Sequence, residues 1–221
     1  YNVLCTQEGG IIDDAIVYRR GDEDFLLIPN AANTRAVFDW LAANSKTHGR
    51  VNIDDVTKQT AMIAHQGPRA AEILQPLTES DLSAVRPFGA VDTRVAGADA
   101  YVARTGYTGD DGYELIVPGD AATIIWDQLM DNGAAPCGLG ARDVLRLEAG
   151  LLLHGNDMDS SVNPYEAGLE RFVDPDRDAY VAGPALRRIR DRGVDRKLAG
   201  FKMVERGIAR HGYRITDGRD V

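Results

Sequence analysis

Gly9-Gly10-Ile11-Ile12-Asp13-Asp14-Ala15-Ile16-Val17-Tyr18-Arg19, followed by Gly21-Asp22-Glu23-Asp24 and Phe25-Leu26-Leu27-Ile28, is the stretch that decides the fold. Gly10–Arg19 alternates weakly and is rich in β-branched residues, which predicts a strand. Phe25–Ile28 predicts a second, and the acidic turn between them makes the pair a hairpin. The chain also opens inside what reads as a strand.

The same alternation of hairpins and helices continues outward. Apolar residues at 37, 38, 40 and 41 predict a helix over Asn33–Asn44. Ala61–His65 reads as a strand, and Pro68 sits at the first position of a short helix running to Leu74. Val91–Ala96 and Ala100–Arg104 form a hairpin across Gly97 and Ala98, and Tyr113–Val117 is a further strand. Asp120 is expected to cap a helix through Met130. Ala141–Ala149 and Ala182–Arg192 read as helices, Lys197–Val204 and Tyr213–Thr216 as strands. Paired strands with helices between the pairs predict an α+β fold with antiparallel sheets. Composition shifts at Asp174–Asp178 and Asp191–Arg196 place a boundary, with one domain over 1–194 and the start of another over 195–221. The chain lacks an initiator Met, so a missing front, which could include a targeting peptide, is expected.

Net charge over the 221 residues is −9, which argues against nucleic-acid binding, since that needs a basic stripe. Asp outnumbers Glu by 25 to 9 and Arg outnumbers Lys by 21 to 4. Each acidic block reads as a solvated loop, and the overall bias reads as adaptation to salt. No apolar run approaches a membrane span, and Tyr1–Gly10 has no secretory character. Cys5 and Cys137 lie far apart without metal spacing and read as free thiols. His48, His65, His154 and His211 share no metal spacing either, so no metal site is expected. His65 and His154 read as residues of the core or behind a site.

Three segments carry chemistry. In Ile11–Tyr18 two acids stand inside an apolar strand, where Asp is depleted. Successive residues face opposite ways, so one carboxylate faces inward or into a cleft and the other faces water. A carboxylate in a partly apolar cleft suits charge stabilisation or proton transfer, although two Asp residues also serve as turn or cap. In Arg104–Glu114 three glycines force an irregular loop, and Glu114 could accept paired N–H bonds from a heterocycle or face solvent after a turn. In Cys137–Gly150 a Gly-x-Gly opens a helix without the third glycine of a dinucleotide loop. Arg142 there could bind a ligand carboxylate or pair with an acid such as Glu114.

Taken together and in order, GGIIDDAIVY (Gly9–Tyr18), NAAN (Asn30–Asn33), QGP (Gln66–Pro68), RTGYTGDDGYE (Arg104–Glu114), GLGARDVLRLEAG (Gly138–Gly150), HGNDMD (His154–Asp159) and NPYEAGL (Asn163–Leu169) resemble the tetrahydrofolate-dependent aminomethyltransferases, the T-protein family of the glycine cleavage system. The resemblance implies a folate-binding domain followed by a C-terminal β-barrel domain. It implies transfer of a methylene from the aminomethyl group on the lipoyl arm of the H-protein to tetrahydrofolate, with release of ammonia. It makes Asp14 the catalytic residue, has Glu114 grip the pterin, and lines the folate site with Tyr1, Ile16, Tyr18, Tyr107 and Arg142. The expected partners are the lipoylated H-protein and tetrahydrofolate, with no nucleic acid and no membrane. The expected location is the cytoplasm, or the mitochondrion if the missing front held a transit peptide. Pro29 stands where the family has an apolar residue, and Asp110 where it commonly has Glu. Two alternatives are a folate-dependent demethylase or folate domain of a sarcosine or dimethylglycine oxidoreductase, and a non-catalytic folate-binding relative that assists iron–sulfur cluster assembly. The latter usually carries a short Cys motif that is absent here.

Overall fold

A computed structural model describes residues 1–46, 49, 51–177 and 180–216. His48 and the last five residues of the expected barrel start lie outside that set. The first sheet has the order β1 (Asn2–Cys5), β2 (Ile11–Arg19), β3 (Phe25–Ile28), all antiparallel. The predicted hairpin forms with Ile16 opposite Ile28 and Arg19 opposite Phe25. Helix α1 (Thr34–Ser45) follows a single 3-10 turn at Ala31–Asn33.

The second sheet is built from β4 (Thr60–Gln66), β5 (Ala90–Val95), β6 (Ala98–Ala103) and β7 (Gly112–Pro118). Its order is β4-β7-β6-β5, again antiparallel throughout. Helices α2 (Ala70–Leu74) and α3 (Ala122–Asp131) cover one face. Leu74, Val102, Leu115 and Ile125 form the centre of that core with essentially no exposure. Each such side chain contributes about 1.5–3 kcal/mol on removal from water. Helices α4 (Leu139–Glu148) and α5 (Gly183–Arg192) complete the described elements.

The first sheet is packed separately. Val37 of α1, with Trp40 and Leu41, lies against Leu4 and Ala15. Val3, Cys5 and Ile11 pack with Met158, Ala167, Leu169 and Leu186 from the later chain and α5. Ile11 N–H donates to Val162 O at 2.9 Å, so the entry to β2 is stitched to that later segment.

Several boundaries differ from the sequence expectation. Gly67, at φ +113°, makes a turn closed by Ala70 N–H to Gly67 O, so α2 starts at Ala70 and Pro68 stays outside it. Ala121 N–H to Pro118 O closes another turn, which delays α3 to Ala122 and leaves Asp120 without a capping role. The β5–β6 connection uses Ala96 and Gly97, both at positive φ, so Ala98 belongs to the strand. Lys197–Val204 and Tyr213–Thr216 form no strands. Among the described residues they run exposed and join neither sheet; Leu198 N–H donates to Glu166 O at 2.8 Å, a single bond and not a ladder. No helix among the described residues is long and apolar enough to cross a membrane.

Candidate functional site

The two acids of β2 separate as their alternation demands. Asp13 is fully buried, and Asp14 points to the other face, half-buried. Ile16 and Tyr18 share the face of Asp14 because side chains repeat every second residue. Tyr18 continues across to the second sheet, where its hydroxyl lies 2.7 Å from Thr105 Oγ1 and donates to Glu114 Oε2 at 3.3 Å. Tyr101 of β6 meets Tyr18 edge to face, at 5.5 Å between ring centres.

Glu114 is buried, so it is not the solvent-facing acid of a simple hairpin turn. Tyr113, Leu115 and Val117 face the core beneath α2 and α3, which turns Glu114 toward the first sheet. Thr105 Oγ1 donates to the same oxygen, Oε2, at 2.5 Å, and Oε1 accepts nothing from the described residues. Glu114 therefore keeps one oxygen for a ligand.

Asp14 is held from two sides. Tyr1 donates its hydroxyl to Oδ2 at 2.9 Å, and Asn30 donates its amide to Oδ1 at 3.0 Å. Burial, the largest influence, raises the carboxyl above its ordinary range; the bonds from Tyr1 and Asn30 pull it down, and the neighbouring Asp13 pushes it up. Burial and the adjacent Asp14 carboxylate also push the Tyr1 hydroxyl well up, so it remains a proton donor.

The glycine-rich loop that follows β6 supplies Tyr107, whose hydroxyl bonds Leu152 O. Arg142, from the first turns of α4, lies over that ring at 4.8 Å. Arg142 does not pair with Glu114: its described contact is the face of the Tyr107 ring. Gln66 explains the glycines. Its amide donates to Thr105 O and Tyr113 O at 3.0 and 3.1 Å, and it accepts from Thr108. A Cβ on Gly106 would stand 1.9 Å from Gln66 Oε1, and one on Gly112 would stand 2.8 Å from Gln66 Cα.

Of the seven residues singled out by resemblance, Tyr1 bonds Asp14, Ile16 and Tyr18 share the β2 face of Asp14, Tyr18 bonds Glu114, and Arg142 lies over the Tyr107 ring. Two clefts of about 770 Å³ each open nearby. One is lined by Tyr18 and Tyr101, the other by Gln66, Thr108 and Arg142, and neither is lined by Asp14 or Glu114. Among the described residues no cluster of His, Cys, Asp or Glu could hold a metal ion. Sequence reading gave no role to Thr105, Gln66, Asn30 or Asn33, although the last three lie in the QGP and NAAN stretches. His154 does lie behind the site: its Nδ1 is 2.9 Å from Asn33 Nδ2.

Comparison with known proteins gives concordant matches. The family model described as GCVT N-terminal domain matches residues 1–177. A protein of Geobacillus kaustophilus (strain HTA426) named aminomethyltransferase is 44% identical over 228 residues, covering 100% of this chain and 62% of the relative. One of the same name from Rubrobacter xylanophilus is 45% identical, covering 99% of this chain and 58% of the relative. The crystal structure of glycine cleavage system aminomethyltransferase T from Bartonella henselae superposes with a TM-score of 0.76 at 30% identity, covering 86% of this chain and 52% of that one. The chain spans about three fifths of the length of the curated relatives it matches.

Proposed function

We propose a function on one premise: this chain belongs to the GCVT N-terminal domain family. The complete protein is then a tetrahydrofolate-dependent aminomethyltransferase of the glycine cleavage system. It takes the aminomethyl group from the lipoyl arm of the H-protein, passes the methylene to tetrahydrofolate and releases ammonia.

One observation supports this reading above the others. Asp14, Ile16 and Tyr18 share one face of β2, and that face ends at a hydroxyl bonded to Glu114. Asp14 and Tyr18 are four strand residues apart, about 13 Å at roughly 3.3 Å per residue. That span lets a flat bicyclic ring lie between the two acids. Glu114 would accept an N–H of the aminopyrimidine edge with its unused oxygen, Oε1, while Thr105 and Tyr18 hold Oε2. Asp14 would then face the amines that react. Attack by a folate amine on an iminium-like carbon needs an oriented amine and a negative charge near the developing cation. Asp14, fixed by Tyr1 and Asn30, supplies both by position and electrostatics. Tyr1, Ile16, Tyr18 and Tyr107 would wall the ring, and Arg142 would meet the carboxylate tail.

The division at residues 194 and 195 and a salt-adapted cytoplasmic setting belong to the same reading. The absence of strands among the described residues after Gly193 and the Asp-rich composition speak for them. The test is methylene transfer by the complete protein from aminomethylated H-protein to tetrahydrofolate, run beside sarcosine and dimethylglycine as donors. Turnover with the H-protein alone is expected. Turnover only with a methylamine donor would move the protein to the demethylase class.

A further inference from the structure

Asp13 is a fully buried carboxylate, and no cation among the described residues pairs with it. It is satisfied by N–H groups instead. Asn30 backbone N–H donates to Oδ2 at 3.0 Å, Asn30 Nδ2 to Oδ1 at 2.8 Å, and Asn33 Nδ2 to Oδ1 at 2.7 Å. Ionised carboxylates only accept, so the amide nitrogens must face them. Asn33 Nδ2 also reaches His154 Nδ1, which therefore accepts, and His154 Nε2–H points to Ile11 O at 3.3 Å.

Asn30 is the residue that links this anchor to Asp14. Its Nδ2 carries two hydrogens. One serves Asp13 Oδ1, and the other lies between Asp14 Oδ1 at 3.0 Å and Asp14 O at 3.1 Å. A hydroxyl has one hydrogen and cannot bridge both acids, and a carboxylate would repel them.

We infer that Asn30 is the positioning residue for Asp14, and that Asp13 is the buried anchor that keeps Asn30 rigid. This rests on the catalytic reading of Asp14 given above. Asn30 fixes the direction of the Asp14 carboxylate and favours its ionised form. The groups that face Asp14 are Tyr1, Asn30, Asp13, His154 and the Tyr107 hydroxyl.

The test compares Asn30→Ala and Asn30→Ser with the wild type in the complete protein. Serine keeps a small polar side chain and the backbone bond to Asp13, so it serves if alanine fails to fold. The expected result is a kcat lowered roughly 10- to 100-fold, with KM and Kd for tetrahydrofolate within about threefold, as for lost transition-state positioning. The acid limb of the kcat profile should move to higher pH, because an N–H bond favouring the charged carboxylate is gone. Unchanged kcat, or kcat and folate affinity falling together, would overturn the proposal, the second outcome marking a merely structural role. If the wild type transfers no methylene, the catalytic reading fails instead. Titration of Asp14 by carbon-13 NMR in wild type and Asn30→Ser then still decides the placement of Asn30, an unchanged titration overturning it.

Discussion

Asp14→Asn tests the most exposed claim at the residue scale. It should lower kcat by at least about 100-fold, within the usual contribution of a positioned acid–base group. Tetrahydrofolate affinity, measured by fluorescence titration, should stay close to wild type. A second readout concerns stability. Burial raises the folded-state pKa of Asp14 above its unfolded value. Its favourable contribution is therefore present below the unfolded pKa and is lost as pH rises through the folded one. Above that window the wild type holds an ionised group its surroundings disfavour. The Asn variant should then melt no lower than wild type at pH 7, and its relative advantage should shrink on acidification. Glu114→Ala should act differently, weakening folate binding roughly 10- to 100-fold, as expected for hydrogen bonds to a charged partner. Equal affinity would put the pterin elsewhere. The acid pair Asp13-Asp14 was conspicuous inside an apolar strand, but alternation alone did not say which of the two faces the cleft, and Asp14 was singled out only by the family resemblance. Thr105 and Asn30 were not legible. Thr105 matters through a bond to a residue 9 positions on and another 87 positions back. Asn30 matters through carboxylates 16 and 17 positions back. Neither spacing has a periodic signature.

Among the elements, β2 and β7 carry the two acids and depend on their neighbours, β4 among them. Gly10 opens β2, and a Cβ there would fall 1.9 Å from the backbone oxygen of Ser160. Because backbone cannot swing aside, Gly10→Ala should cost about 2 kcal/mol or more in urea unfolding, in the range of overpacking penalties. A smaller loss would mean that the 159–162 segment yields. On β4, His65 is buried with Nε2 3.0 Å from Ala70 O, and burial lowers its pKa. The unfolded chain binds that proton first. Stability should therefore fall as pH drops through the unfolded value, about 6.5, toward the folded one. His65→Gln should flatten the melting-temperature profile over that interval, and an unchanged slope would assign the acid sensitivity to another group. Strand identities were readable because alternation and β-branching carry them. Helix starts at Ala70 and Ala122 were not, since each waits on a turn closed by a backbone bond that no side chain announces. The strands expected after Lys197 fail for a related reason: alternation shows which face a strand would bury and says nothing of whether a neighbour exists to pair with it.

For the whole molecule, charge is the governing quantity. A net −9 sets the chain against its own compaction. Its ion pairs are mostly exposed, such as Arg35 with Asp39 and Arg69 with Glu72, and these contribute little. Raising KCl from roughly 0.05 M to 1 M shortens the screening length from over 10 Å to about 3 Å. The melting temperature should rise across that range, and a fall would show that the attractive pairs outweigh the repulsion. The Asp13 knot responds differently. Its negative charge is dissipated into amide dipoles that belong to the polypeptide itself, and dipoles are not displaced by dissolved ions. Dissolved salt can thus loosen or tighten the outer shell while the amide bonds that hold Asp13 beneath Asp14 keep their geometry.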